Sequence, residues 1–274
     1  MTKTDATALR GVSETALLTL RSRANEARRP DAIIDDPMAI ELMDSIHYDF
    51  AKFGIPSRQD IALRALAFDR STRRYLAAHP SATVVALAEG LQTSFYRLDA
   101  AGVGHRFRWL TVDLPPIAEL RQRLLPPSPR VSLCAQSALD FSWMDRVDPA
   151  DGVLVTAEGV LMYLQRDEAL SLISECAARF PGGQMMFDLP PPWFAALLRR
   201  GLRTSLRYKA PPMPFTMSVG ELADLVDSVP GIRAVHDLPL PRGRGSLFNV
   251  LLWSAQRLPV FDAVRPALTL LEFG

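Results

Sequence analysis

Between residues 83 and 187, short β-rich apolar runs alternate with helical patterns, and few chain arrangements satisfy that rhythm. Residues 83–87, 107–112, 130–135, 152–157 and 184–187 read as strands, separated by helical stretches at 93–101, 114–125 and 166–180. A strand, a helix and a second strand in succession favour parallel pairing through crossover helices, so the expected architecture is a doubly wound α/β sheet. Ligands of such sheets bind beyond the carboxyl ends of the strands.

The flanks follow different rules. Charges and leucines recur at helical spacing over 14–29, and Asp36-Pro37 reads as an N-cap followed by a proline at the first helical position. Ile61, Ala65, Phe68, Thr72, Tyr75 and Leu76 recur at spacings of three and four, predicting a helix over 60–78 that His79-Pro80 ends. Residues 1–80 are therefore expected to form a helical N-terminal cap, and 81–258 the sheet domain. Residues 190–217, rich in Pro, Arg and aromatic side chains, read as an insertion that covers a site. A helix over 219–229 and two strands, 232–238 and 248–254, joined as a hairpin by the turn-rich 239–245, complete the domain. Residues 259–274 are left as a tail.

Composition narrows the partner. Lys and Arg total 31 against 30 Asp and Glu, so a formal charge of +1 offers no broad footprint for nucleic acid or anionic lipid, and a small molecule is expected. The first ten residues carry no apolar signal region, and the apolar stretch 153–164 is short and interrupted by Glu158. Cys134 and Cys176 lie in core-like patterns and read as buried thiols, with no metal site indicated; the expected compartment is the cytoplasm.

The strand ends carry the chemistry. Ala88-Glu89-Gly90 follows the first strand, Asp113 the second, 137–140 the third, Glu158-Gly159 the fourth and Asp188 the fifth. A turn with a glycine before a helix admits a nucleotide-like ligand, although an ordinary strand-to-helix turn has the same form. Asp113 stands roughly 20 residues beyond it, where an acidic residue accepts hydrogen bonds from ribose hydroxyls or caps the next helix. The turn lacks a full GxGxxG, which argues against a nicotinamide-dependent oxidoreductase.

The segments ALLTLRSRANEARRPDAIIDDPMAIEL, HPSATVVALAEGLQTSFYRLD, WLTVDLPPIAELR, CAQSALDFSWMD and TAEGVLMYL, in order, resemble the leucine carboxyl methyltransferase family. The resemblance implies a Rossmann-like class I methyltransferase fold of about seven strands, mostly parallel with an antiparallel C-terminal strand. It also implies an S-adenosylmethionine-dependent O-methyltransferase acting on a small-molecule carboxylate or ionisable hydroxyl. By the same resemblance Arg64 meets the methionyl carboxylate, and Ala88, Glu89 and Gly90 lie along the cofactor. Asp113 with Leu114 takes the ribose, Ser137, Ala138 and Leu139 the adenine, and Glu158 and Tyr163 border the methyl-transfer cleft. Many members carry Gly at Ala88, Asp at Gln92 and Asp-Leu at Ser137-Ala138, so a non-catalytic relative that keeps the fold is the alternative. Replacing Arg64 is expected to cost binding with little stability.

A sulfonium methyl is already electrophilic, and a carboxylate is ionised at neutral pH without a general base. His79 and His105 precede strands and so sit at the opposite end of the sheet; only His47 and His236 can approach the cleft. These considerations favour a carboxylate acceptor, with Arg203, Arg207 or Arg244 as candidates to hold it.

Overall fold

The computed structural model describes residues 3–54, 59–200 and 205–274. Its central sheet comprises β1 (Thr83–Leu87), β2 (Arg108–Asp113), β3 (Val131–Ala135), β4 (Val153–Ala157), β5 (Gln184–Leu189), β6 (Ile232–Asp237) and β7 (Ala267–Phe273). The spatial order is β3-β2-β1-β4-β5-β7-β6. β1 to β5 pair in parallel, and β7 alone runs antiparallel to both its neighbours. The order reverses between β1 and β4, which opens a crevice at their carboxyl ends. Every residue of β1 and of β4 is buried, as a strand covered on both faces requires.

Helices α1 (Gly11–Ala27), α2 (Pro37–Ser45) and α3 (Gln59–Ala78) form the N-terminal region. Asp36 caps α2 as expected, its side chain accepting from the Ala39 N–H at 3.1 Å with Pro37 in the first turn. Crossover helices α4 (Ser94–Ala100), α5 (Pro115–Leu124) and α6 (Arg166–Arg179) follow, then α7 (Pro192–Arg199), α8 (Val219–Ala223), α9 (Leu225–Ser228) and α10 (Ser246–Arg257). The helix expected over 219–229 is thus two short ones.

The C-terminal expectation is corrected. Residues 248–254 belong to helix α10, and the last strand is β7, inside the segment expected to be a tail. The strand slot between β5 and β6 is enclosed, and Leu271 and Phe273 fill it almost without exposure. In α10 no residue is fully buried, and Leu247, Val250, Leu251 and Trp253 remain more than half exposed. Asn249 clasps the preceding loop, accepting from the Gly243 N–H and donating to its carbonyl, each at 2.8 Å. Both segments are short apolar runs, and period alone does not separate a strand from a helix at that length. β6 and β7 are therefore partners without being a tight hairpin.

The N-terminal helices pack directly on the elements flanking the sheet. Leu17, Leu20 and Leu42 pack against Leu91, Ile117 and Leu120 in one apolar cluster. Through that cluster runs an ionic network: Arg23 and Asp36, both fully buried, pair at 2.5 Å, and Arg97 bridges Asp36 at 2.8 Å and Asp69 at 2.7 Å. The Thr93 hydroxyl donates to Asp36 at 2.7 Å, and Arg23 Nη2 donates to the Leu91 carbonyl at 2.6 Å. Burial alone would raise the Asp36 pKa, but Arg23 and Arg97 outweigh it and hold the carboxyl below its ordinary value. Cys134 and Cys176 are buried free thiols. Among the described residues no helix is long and apolar enough to cross a membrane, and no group of side chains could hold a metal ion.

Candidate active site

A cavity of about 750 Å³ crosses the carboxyl ends of the strands. Ala88, Glu89, Gly90, Asp113 and Leu114 line it from β1 and β2, and Ser137, Ala138 and Leu139 from the end of β3. Glu158 and Tyr163 follow β4, Asp188 ends β5, and Arg64 enters from α3.

The first turn has unusual backbone geometry. Ala88 has φ +46°, the only non-glycine residue at positive φ among the described residues, and Gly90 has φ +61°. A Cβ on Gly90 would stand 3.0 Å from the Ala16 Cβ of α1, so glycine is required there by conformation and by space. The Ala88 strain predicts that Ala88→Gly raises stability by about 1 kcal/mol, after the entropy that glycine adds to the unfolded chain is subtracted. A melting temperature higher by roughly 2–4 °C is expected in a thermal scan, and a decrease would contradict the strain.

Asp113 is oriented by the turn it faces. Its Oδ2 accepts from the Gly90 N–H at 2.7 Å and its Oδ1 from the Leu114 N–H at 2.8 Å. Burial pushes its pKa up to about 6, against the opposing pull of the two amides and of Arg121. Asp113 does not cap α5, whose N-cap is Leu114 with no side-chain cap bond; its carboxylate braces the Gly90 and Leu114 amides, and each oxygen retains a lone pair. Glu89 points away from that function. It pairs with Arg121 at 2.9 Å and accepts from the Thr111 hydroxyl at 2.6 Å, while Arg121 also donates to the Gly90 and Gln92 carbonyls.

Arg64 sits between two carboxylates. Its Nε donates to Glu158 Oε1 and its Nη1 to Asp188 Oδ2, both at 3.0 Å, and Asp188 Oδ1 accepts from the Gly159 N–H at 2.7 Å. Burial disfavours the guanidinium charge, yet Asp188 and Glu158 outweigh it and hold Arg64 protonated. Glu158 has a raised pKa because burial and Asp188 exceed the pull of Arg64. Gln92 Nε2 donates to Glu158 Oε2 at 2.8 Å, and Arg97 donates to Gln92 Oε1 at 3.0 Å, so the cavity is wired to the cap network.

Not every sequence candidate reaches the cavity. Arg244 bonds Glu26 and lies 2.6 Å from Asp31, outside the lining, and exposed Arg207 pairs with Asp49. Arg203 lies outside the described residues. All four histidines are exposed and none lines the cavity. Conversely, Asp188, Gln92 and Tyr208 belong to the site without having been assigned to it. Asp188 was legible as a strand-end carboxylate; Tyr208 carried no pattern, since a loop has no period.

Comparisons with known proteins identify the family. The profile of the leucine carboxyl methyltransferase family matches residues 16–177. The tetracenomycin polyketide synthesis O-methyltransferase TcmP of Streptomyces glaucescens is 33% identical over 227 residues, 82% of each chain. The S-adenosyl-L-methionine-dependent methyltransferase dpfgK of Gibberella zeae is 28% identical over 89% of each chain. The crystal structure of a Thermobifida fusca methyltransferase superposes with TM-score 0.58 at 14% identity, covering 98% of this chain and 96% of that one, which shows the shared class I fold. A profile match over more than half of the residues, joined to that 33% identity, makes this chain an S-adenosylmethionine-dependent methyltransferase belonging to the leucine carboxyl methyltransferase family.

Proposed function

We propose that the protein transfers the methyl group of S-adenosylmethionine to an oxygen of a small-molecule acceptor, a carboxylate in preference to a hydroxyl. The observation that carries this reading is the single cavity joining Asp113, Arg64 and the first turn to an acceptor end that no histidine enters. An acceptor oxygen that arrives ionised suits such a site, because no imidazole stands ready to take its proton. The O-methyltransferase name of the Streptomyces relative points the same way.

The residues suit the cofactor. Asp113 accepts from the ribose hydroxyls, Ala88 to Gly90 lie along the methionyl part, and Leu114 and Ser137 to Leu139 flank the ribose and adenine. Arg64 has used Nε and Nη1, and a guanidinium with five N–H donors keeps capacity for the methionyl carboxylate. Glu158 and Tyr163 border the transfer cleft. S-adenosylmethionine supplies an electrophilic methyl on a sulfonium, so the chain's work is alignment and exclusion of water.

Two measurements test the proposal. Calorimetry should show binding of S-adenosylmethionine and S-adenosylhomocysteine and none of NAD. Methyl-labelled cofactor incubated with paired acids and alcohols should yield base-labile methyl esters; base-stable ethers alone would replace the carboxylate by a hydroxyl.

Asp113 adds a pH signature. With a folded-state pKa of about 6, it holds a proton between pH 4 and 6 that the unfolded carboxyl has released. Stability of the free protein therefore falls as pH rises through that window, while cofactor affinity rises as the ionised acceptor forms. Asp113→Asn should flatten both slopes and weaken binding by about 1–3 kcal/mol. Retention of full affinity at pH 7 by the folded mutant would remove Asp113 from the site.

A further inference from the structure

Beyond the cofactor residues, a tyrosine in the cavity wall carries a buried hydroxyl that the described residues leave unpaired. Tyr208 lines the cavity beside Tyr163, Ala210 and Met213, and only 3% of it is exposed. Its hydroxyl is buried with no hydrogen-bond partner, which is costly unless a ligand supplies one.

The ring is held rigidly. Its edge meets Phe53 with centroids 4.8 Å apart, the Tyr208 N–H donates to Ser205 Oγ at 2.9 Å, and that hydroxyl donates to the Lys52 carbonyl at 2.6 Å. The segment carrying Tyr208 is thereby tied to Lys52, with Tyr208 part of the cavity wall. Among the described residues two arginines line the cavity: Arg64 is shared by Glu158, Asp188 and, in the proposed reading, the methionyl carboxylate, and Arg265 is held by Asp237 and Asp262. Recognition of an acceptor oxygen thus falls to a neutral donor.

We infer that Tyr208 is an acceptor-positioning residue whose hydroxyl donates a hydrogen bond to the non-attacking oxygen of an apolar carboxylic acid. The inference rests on the proposed O-methylation. Burial, with Tyr163, Glu14 and Tyr48 nearby, raises the phenol pKa, so the proton stays on Tyr208 throughout. The free carboxylate oxygen bonds to the methyl carbon, the carbon–sulfur bond breaks, and its electron pair neutralises the sulfonium. The products are a methyl ester and S-adenosylhomocysteine, with no proton transferred.

The test uses the full chain saturated with S-adenosylhomocysteine and two matched probes, 2-naphthoate and 2-naphthol, titrated by calorimetry into wild type and Tyr208→Phe. The substitution should weaken naphthoate binding about tenfold, or about 1.4 kcal/mol. S-adenosylhomocysteine affinity should not change, and the melting temperature should hold or rise because an unpaired buried hydroxyl has been removed. A mutant that melts several degrees lower overturns the inference, since its hydroxyl then had a structural partner. Absence of Tyr208-dependent binding of either probe overturns it too. Tyr208-dependent binding of naphthol alone keeps the residue's role and replaces the carboxylate, while failure of S-adenosylmethionine binding would separately defeat the cofactor assignment.

Discussion

Arg64→Met is expected to lose measurable S-adenosylmethionine binding and also to lower the stability of the free protein by about 3 kcal/mol. The second effect reverses what the sequence suggested. Among the described residues Arg64 is the cation that bonds both Glu158 and Asp188, and those side chains are only 11% and 12% exposed. Removing one partner of a buried ion pair strands the other charge, a far larger penalty than the net value of the pair. The melting temperature should fall by roughly 6–12 °C. Adding Glu158→Gln to the mutant should restore part of the stability and none of the binding. Thermal scans with and without cofactor separate the two contributions, and a single mutant that melts as wild type would show that water, not Arg64, solvates the carboxylates.

Asp36→Asn is expected to lower stability by about 3–5 kcal/mol. Asp36 is fully buried between Arg23 and Arg97, and the asparagine keeps its size while deleting the one charge both arginines share. Asp69 still faces Arg97, but Arg23 would be left without a carboxylate bonded to it. Because Thr93 and the Leu91 carbonyl belong to the same network, the first turn of the sheet domain loses its anchor together with the cap. Cofactor affinity should fall with stability. The control is Asp44→Asn: its pair with Arg28 is exposed, and its removal should change stability by less than about 1 kcal/mol. Denaturant titration of both mutants distinguishes these outcomes, and equal effects would mean the network carries no special weight.

These two positions also show what was legible in the chain. The rhythm of buried runs and amphipathic helices located β1 to β5 within a residue or two at most boundaries, because each strand and crossover helix declares itself within its own few turns. Asp36-Pro37 named its cap for the same reason: the capped N–H lies three residues away. Asp113 was legible because the strand's end fixes where its side chain must stand. The resemblance added the family and the cofactor.

Tertiary structure decided whatever depends on partners distant in the chain. Residues 248–254 and 267–273 are both short apolar runs, and only the enclosed slot between β5 and β6 selects the second as a strand. The Arg64 contacts span 94 and 124 residues, so no local pattern announces that its charge is already shared. Whether Ala88 strains its turn depended on a φ that alanine itself disfavours and the surrounding fold imposes. Tyr208 becomes meaningful only when the chain around it joins the cavity wall and buries its hydroxyl without a partner among the described residues. Local periodicity thus determined the elements and the strand ends that carry ligand chemistry. Long-range packing and charge pairing determined which side chains are spent within the fold and which stay available to a ligand, because burial and pairing are properties of the assembled protein and not of any segment.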